Sequence, residues 1–305
     1  MEKARRLFRN KRVRLLLVVL IVGLTIGLFV YYLASHPETL TSIAQLSPAT
    51  LLLLTLAYIG TVIANAFVLF ASLRLIKKPV GFIENIALTG YSSVVNFFGP
   101  LQSGPGFRAA YLKTKHGVTV KRFLYVTVIF YGFFALINGL VIAGAVLAAA
   151  NPNLVPALLL VIAMVGLIGC LVALRLPRIA AALKNIRLTD INVIYIGLGA
   201  LLLSAATASA YFIELNHVDP SVTVGQTVVY TAAANLALFV SLTPGAIGFR
   251  ESFLLLSQQL HDIPTNTVIA ASVIDRAFYV VFLLVLFLVL LAFGGRAKLK
   301  QAGSA

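Results

Sequence analysis

Asn96-Phe97-Phe98-Gly99-Pro100-Leu101-Gln102-Ser103-Gly104-Pro105-Gly106-Phe107-Arg108 interrupts an otherwise apolar chain, and Ala109–His116 follows it. Proline removes an amide donor and clashes with the preceding turn, so a helix entering this stretch breaks there. A short second helix is expected to begin near Gly106. A second interruption, Ser241-Leu242-Thr243-Pro244-Gly245-Ala246-Ile247-Gly248-Phe249-Arg250-Glu251, leads into Ser252–His261, with a helix start expected near Gly248. Hydrocarbon cannot satisfy the freed backbone groups, so each break is expected to be buried in protein or to line a wet cavity. Whether the chain crosses the membrane or turns back at these two breaks decides the fold.

Composition fixes the solvent. Of 305 residues 60% are apolar and only 11% charged, and mean hydropathy is +1.01. Soluble domains carry about 25% charged residues. The chain therefore reads as a single polytopic, all-α integral membrane domain over 1–305. The net charge of +15 does not indicate a nucleic-acid partner, because the basic residues lie between apolar runs, where they set orientation. The lone cysteine, Cys170, excludes an internal disulfide and a cysteine-based metal site. Met1–Arg14 holds seven basic residues and Leu15–Leu33 holds no charge. That pattern predicts a retained first helix behind a basic cytoplasmic N-terminus.

Apolar runs recur at 15–33, 51–73, 82–98, 123–149, 154–174, 193–213, 222–240 and 265–293. Basic residues cluster at 3–14, 74–78, 108–122, 175–187 and 296–300, whereas the gaps 34–50, 150–153 and 214–221 hold none and carry Glu38, Glu214 and Asp219. Eight plain transmembrane helices would put 108–122 and 175–187 outside, against the positive-inside rule. Six full crossings plus two re-entrant hairpins, 82–117 and 222–262, place every basic cluster inside. The termini, including a basic tail at 294–305, are then cytoplasmic, and the chain belongs in the inner cell membrane. An offset of 142 residues supports the six-plus-two reading. It carries Gly106-Phe107-Arg108 onto Gly248-Phe249-Arg250 and aligns the runs of 15–149 with those of 157–291. Three crossings per copy make the second copy inverted, and inverted repeats with broken helices are a transporter architecture.

A helix start beside an arginine suits an anion, because free N–H groups, the helix dipole and a planar guanidinium all favour negative charge. Two such sites, at Gly104, Gly106 and Arg108 and at Gly245, Gly248 and Arg250, point to a lipid headgroup phosphate. Asp275 and Arg276 lie about ten residues into the last helix and with Arg250 and Glu251 sum to zero charge, so one buried network is expected. Glu84 suits the start of the first hairpin. Asn65, Asn96, Asn138 and Asn235 suit interhelical hydrogen bonds. Tyr91, Tyr111, Tyr131 and Tyr279 are candidates for a path, and the histidines show no ligand spacing. No Asp-x-Asp, His-Glu-x-x-His or Walker pattern is present, so neither an enzyme nor a metal or nucleotide cofactor is expected.

The stretches Gly104–Leu112 and Thr243–Glu251, in an all-helical chain of this length, resemble the flippase-like membrane domain of the lysylphosphatidylglycerol synthetase (multiple peptide resistance factor) family. Ala246 stands where that family often has a second glycine. The resemblance implies lipid transport, with lipid-handling roles for Arg108, Gly245, Gly248, Arg250 and Glu251. It also implies a stand-alone member lacking the family's soluble synthase domain. The expected cargo is an anionic phospholipid or a polyprenyl-phosphate-linked lipid, and a separate lipid-synthesis enzyme is a candidate partner. The alternatives are a membrane-embedded lipid-modifying enzyme using Glu251 or Asp275, and a non-transporting scaffold. Under the transport reading Arg250→Ala abolishes lipid movement without unfolding the chain.

Overall fold

The computed structural model describes residues 44–98, 103–148, 190–240 and 249–302, with isolated positions at 27–35 and 163–168. Side chains after residue 292 are not included. The expectations for 1–14, for most of 15–33 and 154–174, for 175–187 and for Gly245 and Gly248 lie outside the described residues. The described part is all-helical: α1 (Pro48–Leu75), α2 (Phe82–Phe98), α3 (Ser103–His116), α4 (Val120–Ala148), α5 (Ile191–Val218), α6 (Val224–Ala237, extended by a 3-10 turn Leu238–Val240), α7 (Phe249–Leu256), α8 (Gln258–His261) and α9 (Thr265–Ala302).

Local sequence sets the helix starts. Ser47 caps α1, its hydroxyl accepting from the Thr50 amide at 3.1 Å, with Pro48 as the first helical residue. Asp190 caps α5 in the same way through the Asn192 amide at 2.9 Å. Thr223 and Gln226 form a reciprocal capping box at the start of α6. Length then sorts the helices. α1, α4, α5 and the 265–292 part of α9 are mostly apolar and 28 or 29 residues long, about 42 Å at 1.5 Å per residue, and can cross a bilayer. Their outward faces expose Leu52, Ile63, Leu140, Ile194, Leu201 and Leu288, as a lipid-facing surface does. α2 and α3, with 17 and 14 residues, reach only about 25 and 21 Å.

α2 and α3 form an antiparallel hairpin. Glu84 contacts His116 at its open end, Ser92 contacts Arg108 midway, and Asn96 contacts Gly104 near the tip. Gly104 lets the two helices meet: a Cβ there would lie 2.9 Å from the Ser92 carbonyl oxygen and 3.1 Å from the Asn96 Cβ. The second hairpin closes likewise, with Gln226 donating to the Asp262 carbonyl at 3.3 Å and the Tyr230 and His261 rings 5.5 Å apart. Between the hairpins α1 and α5 run antiparallel, Tyr58 meeting Glu214 and Phe67 meeting Tyr195. Gly199 sits against Val68 and Phe67 and allows this close crossing. The first hairpin opens at the end of the bundle where α1 finishes, the second at the end where α5 finishes. They therefore enter from opposite ends.

The end of the bundle where the first hairpin opens carries Arg74, Lys77, Lys78, Lys113, Lys115, Lys121 and Arg122. The described segments at the opposite end, 44–48, 216–226 and 258–266, contain Asp219 and Asp262 and no lysine or arginine. The 142-residue offset is visible in the elements: it carries α1 to 190–217 against Ile191–Val218, and α2 to 224–240, the bounds of α6 with its 3-10 turn. It also carries Leu73, Val80, Leu112 and Val126 of one core cluster onto Leu215, Val222, Leu254 and Val268 of another. All eight are buried. Packing is reciprocal as well. α2 lies on α9 through Phe97 and Tyr279, and α6 lies on α4 through Phe239 and Tyr131.

Candidate functional site

The inner ends of the hairpin helices and the long helices line a cavity of about 290 Å³. Arg108 reaches it from α3, Arg250 from α7, and Asp275, Arg276 and Tyr279 from α9. Tyr58, Asn65 and Tyr211 line it from the central pair α1 and α5. The two arginines of the repeated Gly-Phe-Arg motif thus face one space, although they stand 142 residues apart.

Their surroundings differ. Arg250 is 11% exposed and ion-paired in short contact with Asp275, which is 7% exposed. Its Nη1 donates to the Tyr211 hydroxyl at 3.0 Å, and its guanidinium lies 5.6 Å from the centre of that ring. Its Nε is buried and has no hydrogen-bond partner among the described residues. Glu251 accepts from Arg276 at 2.7 Å and lies 3.6 Å from Arg250. The expected neutral network of Arg250, Glu251, Asp275 and Arg276 is therefore assembled. Arg108 donates from Nε to the Ser92 hydroxyl at 2.6 Å. No carboxylate among the described residues forms an ion pair with it. Among the described residues it supplies the cavity with a cation that no carboxylate pairs.

Four expectations change. The first half-helix starts at Ser103, three residues before the expected start near Gly106. Its Gly104 amide donates to Asn96 Oδ1 at 3.2 Å and Pro105 has no amide proton, so an anion must rely on the Arg108 side chain more than on the helix start. Gly106 is exposed and a Cβ there would meet nothing within 4 Å, so it does not shape the cavity. Glu214, read from sequence as part of an external gap, lies inside α5 and is 1% exposed. Sequence position also concealed Tyr58, whose hydroxyl bridges Glu214 at 3.0 Å and Asp275 at 2.5 Å. Its ring is fixed between Phe278 and Tyr279. An alternation signal for Glu214 was available, since it sits three residues after Tyr211 on the same helix face.

Of the remaining candidates, Tyr131 and Tyr279 line the cavity. Tyr111 donates to Glu84 at 2.6 Å, and Tyr91 packs on Phe287. Asn235 donates to Asn138 at 3.0 Å, tying α6 to α4. Asn96 caps Gly104, and Asn65 bonds within its own helix to the Thr61 carbonyl. Glu84 does more than suit a helix start: Lys115, Tyr111 and His116 converge on its Oε1 at 2.8, 2.6 and 2.8 Å and close the hairpin base. Burial alone would raise this carboxyl, but those three hydrogen bonds overcome it and hold the group at about 2.

Residues 15–287 match the family model described as the lysylphosphatidylglycerol synthase TM region. No curated protein and no solved structure gives a significant match.

Proposed function

Because the chain belongs to the lysylphosphatidylglycerol synthase TM-region family, whose setting is the membrane lipid, we propose that it moves an anionic or phosphate-linked lipid between leaflets. The cavity takes the headgroup and the acyl or polyprenyl tails stay in the bilayer. The observation that carries this reading is Arg108: a guanidinium facing a cavity of about 290 Å³ with its Nε on Ser92 and no carboxylate partner among the described residues. A lipid phosphate supplies the missing charge, and the planar fork of arginine binds two phosphate oxygens at once. Arg250 and Arg276 start paired with Asp275 and Glu251, so this neutral network leaves Arg108 as the charge that attracts the headgroup. The opposed hairpins and reciprocal packing support a rocking, alternating-access movement about the α1–α5 crossing. The basic end of the bundle then faces the cytoplasm. Both carboxylates an enzyme reading would use, Glu251 and Asp275, are occupied by arginines, which favours transport over lipid modification. The test is reconstitution in phosphatidylcholine vesicles with fluorescent phosphatidylglycerol. The wild type accelerates leaflet exchange and Arg108→Met abolishes it. Equal rates for Arg108→Met and the wild type would remove Arg108 from the site.

A further inference from the structure

Glu214 is 1% exposed in the interior of the bundle, with the Tyr58 hydroxyl at 3.0 Å. Among the described residues no lysine, arginine or histidine forms an ion pair with it. The same hydroxyl lies 2.5 Å from Asp275 Oδ1. A phenol has one proton to donate. Two carboxylates facing one phenol oxygen cannot both accept it, so one of the acids must itself be the donor. Asp275 is held as an anion by Arg250 on its other oxygen. The proton therefore belongs to Glu214, and the chain reads Glu214–OH to Tyr58 Oη, Tyr58 O–H to Asp275, and Asp275 to Arg250. An unpaired buried carboxylate is far costlier than this neutral arrangement.

We propose that Glu214 carries a proton at neutral pH and that its passage to Asp275 through Tyr58 couples proton uptake to anionic-lipid binding. The coupling rests on the transport reading above; the proton occupancy does not. In the step, the Glu214 proton moves to Tyr58 Oη while the Tyr58 proton moves to Asp275 Oδ1. One O–H bond forms at each recipient as one breaks at each donor. Neutral Asp275 releases Arg250, which joins Arg108 on the lipid phosphate. Glu214, left anionic, recovers a proton from water at the end of α5. One proton is taken up for each singly charged phosphate bound, so neither charge enters the interior alone. The groups facing Glu214 are Tyr58 on α1, Tyr211 on its own helix, Arg250 on α7 and Asp275 on α9, while Arg276 and Tyr279 on α9 stand near Asp275. Tyr230 on α6 stands behind Tyr211. The part of α4 packed at this end, 132–148, has no titratable side chain. His217, Asp219 and Asp262 lie at the open end, towards water.

Infrared difference spectroscopy of the purified full chain at neutral pH tests the occupancy. A protonated-carboxyl band is expected, lost in Glu214→Gln and kept in Glu84→Gln. Absence of the band, or its survival in Glu214→Gln, overturns the proposal. Coupling is tested in phosphatidylcholine vesicles containing fluorescent phosphatidylglycerol, with and without a proton gradient. The wild type is expected to respond several-fold, and Glu214→Gln and Tyr58→Phe to lose the response. Tyr58→Phe keeps the ring stacking, so it reports on the hydroxyl even if the glutamate variant folds poorly. Lipid movement by the wild type at the same rate with and without the gradient overturns the coupling while sparing the transport reading. No lipid movement at all removes the transport reading and the coupling with it, and the infrared band still decides the occupancy.

Discussion

Removing Arg250 should cost far more stability than removing Arg108, although both residues close a Gly-Phe-Arg motif. Arg250→Met leaves the 7% exposed Asp275 as a buried anion without its cation. Removing one partner of a buried pair costs about 3–5 kcal/mol. Arg250→Met/Asp275→Leu removes both charges and leaves Tyr58 free to donate to Glu214 at 3.0 Å. Replacing both partners of a buried pair with apolar groups is often close to neutral, so the double variant should recover most of the loss. Arg108→Met strips out a cation that has no carboxylate. Ser92 keeps its own donation to the Thr89 carbonyl at 2.8 Å, so no orphaned donor remains. Its cost should be under about 1 kcal/mol, or the change should stabilise, because the penalty for burying that charge disappears. Reversible unfolding in mixed micelles of increasing denaturing-detergent content measures the wild type, these three variants and the Asp275→Leu single. Equal losses for the two single arginine variants, or a double variant as unstable as the sum of its singles, would refute the reasoning. The expectation that Arg250→Ala spares folding is revised on the same grounds.

Other predictions follow from the hairpins. Gly104→Val sets side-chain atoms against the Ser92 carbonyl, with Cβ at 2.9 Å, and should cost about 1–3 kcal/mol in the same unfolding assay; wild-type stability would show that α2 and α3 are not in contact there. Glu84 is held below its ordinary 4.5, so its contribution to stability is complete above that pH and falls away as pH drops towards about 2. Glu84→Gln should therefore be less stable than the wild type near neutrality, with the gap narrowing below about pH 4; a gap that widens on acidification would contradict the sign. With Cys170 replaced by serine, an impermeant thiol reagent on intact cells should label a cysteine at Asn216 and spare one at Gly117; labelling at Gly117 would make the first hairpin a crossing.

The sequence made the large-scale organisation legible because bilayer physics writes it in long stretches. Charge placement and helix-breaking residues anticipated hairpins that open at opposite ends, and the bounds of α1 and α5 and of α2 and α6 with its 3-10 turn lie 142 residues apart to within one residue. The neutral network of Arg250, Glu251, Asp275 and Arg276 was also legible, since buried charges must balance. Depth along a helix was harder to read. Glu214 lies four residues before the end of α5, close enough to look like a loop acid, yet the Tyr58 stack and the α1 crossing bury it. The difference between Arg108 and Arg250 was hidden for a related reason. Their local motifs match, but the carboxylate that distinguishes them arrives from α9, a long-range contact that no local pattern encodes.

Headgroup binding at Arg108 can be measured directly. Short-chain phosphatidylglycerol, and diacylglycerol of the same chain length, are titrated into the purified full chain and into Arg108→Met and Lys121→Ala. A phosphate site at Arg108 requires saturable phosphatidylglycerol binding, no comparable diacylglycerol binding, loss in Arg108→Met and retention in Lys121→Ala. Equal binding of the two lipids, or undiminished phosphatidylglycerol binding by Arg108→Met, would contradict it.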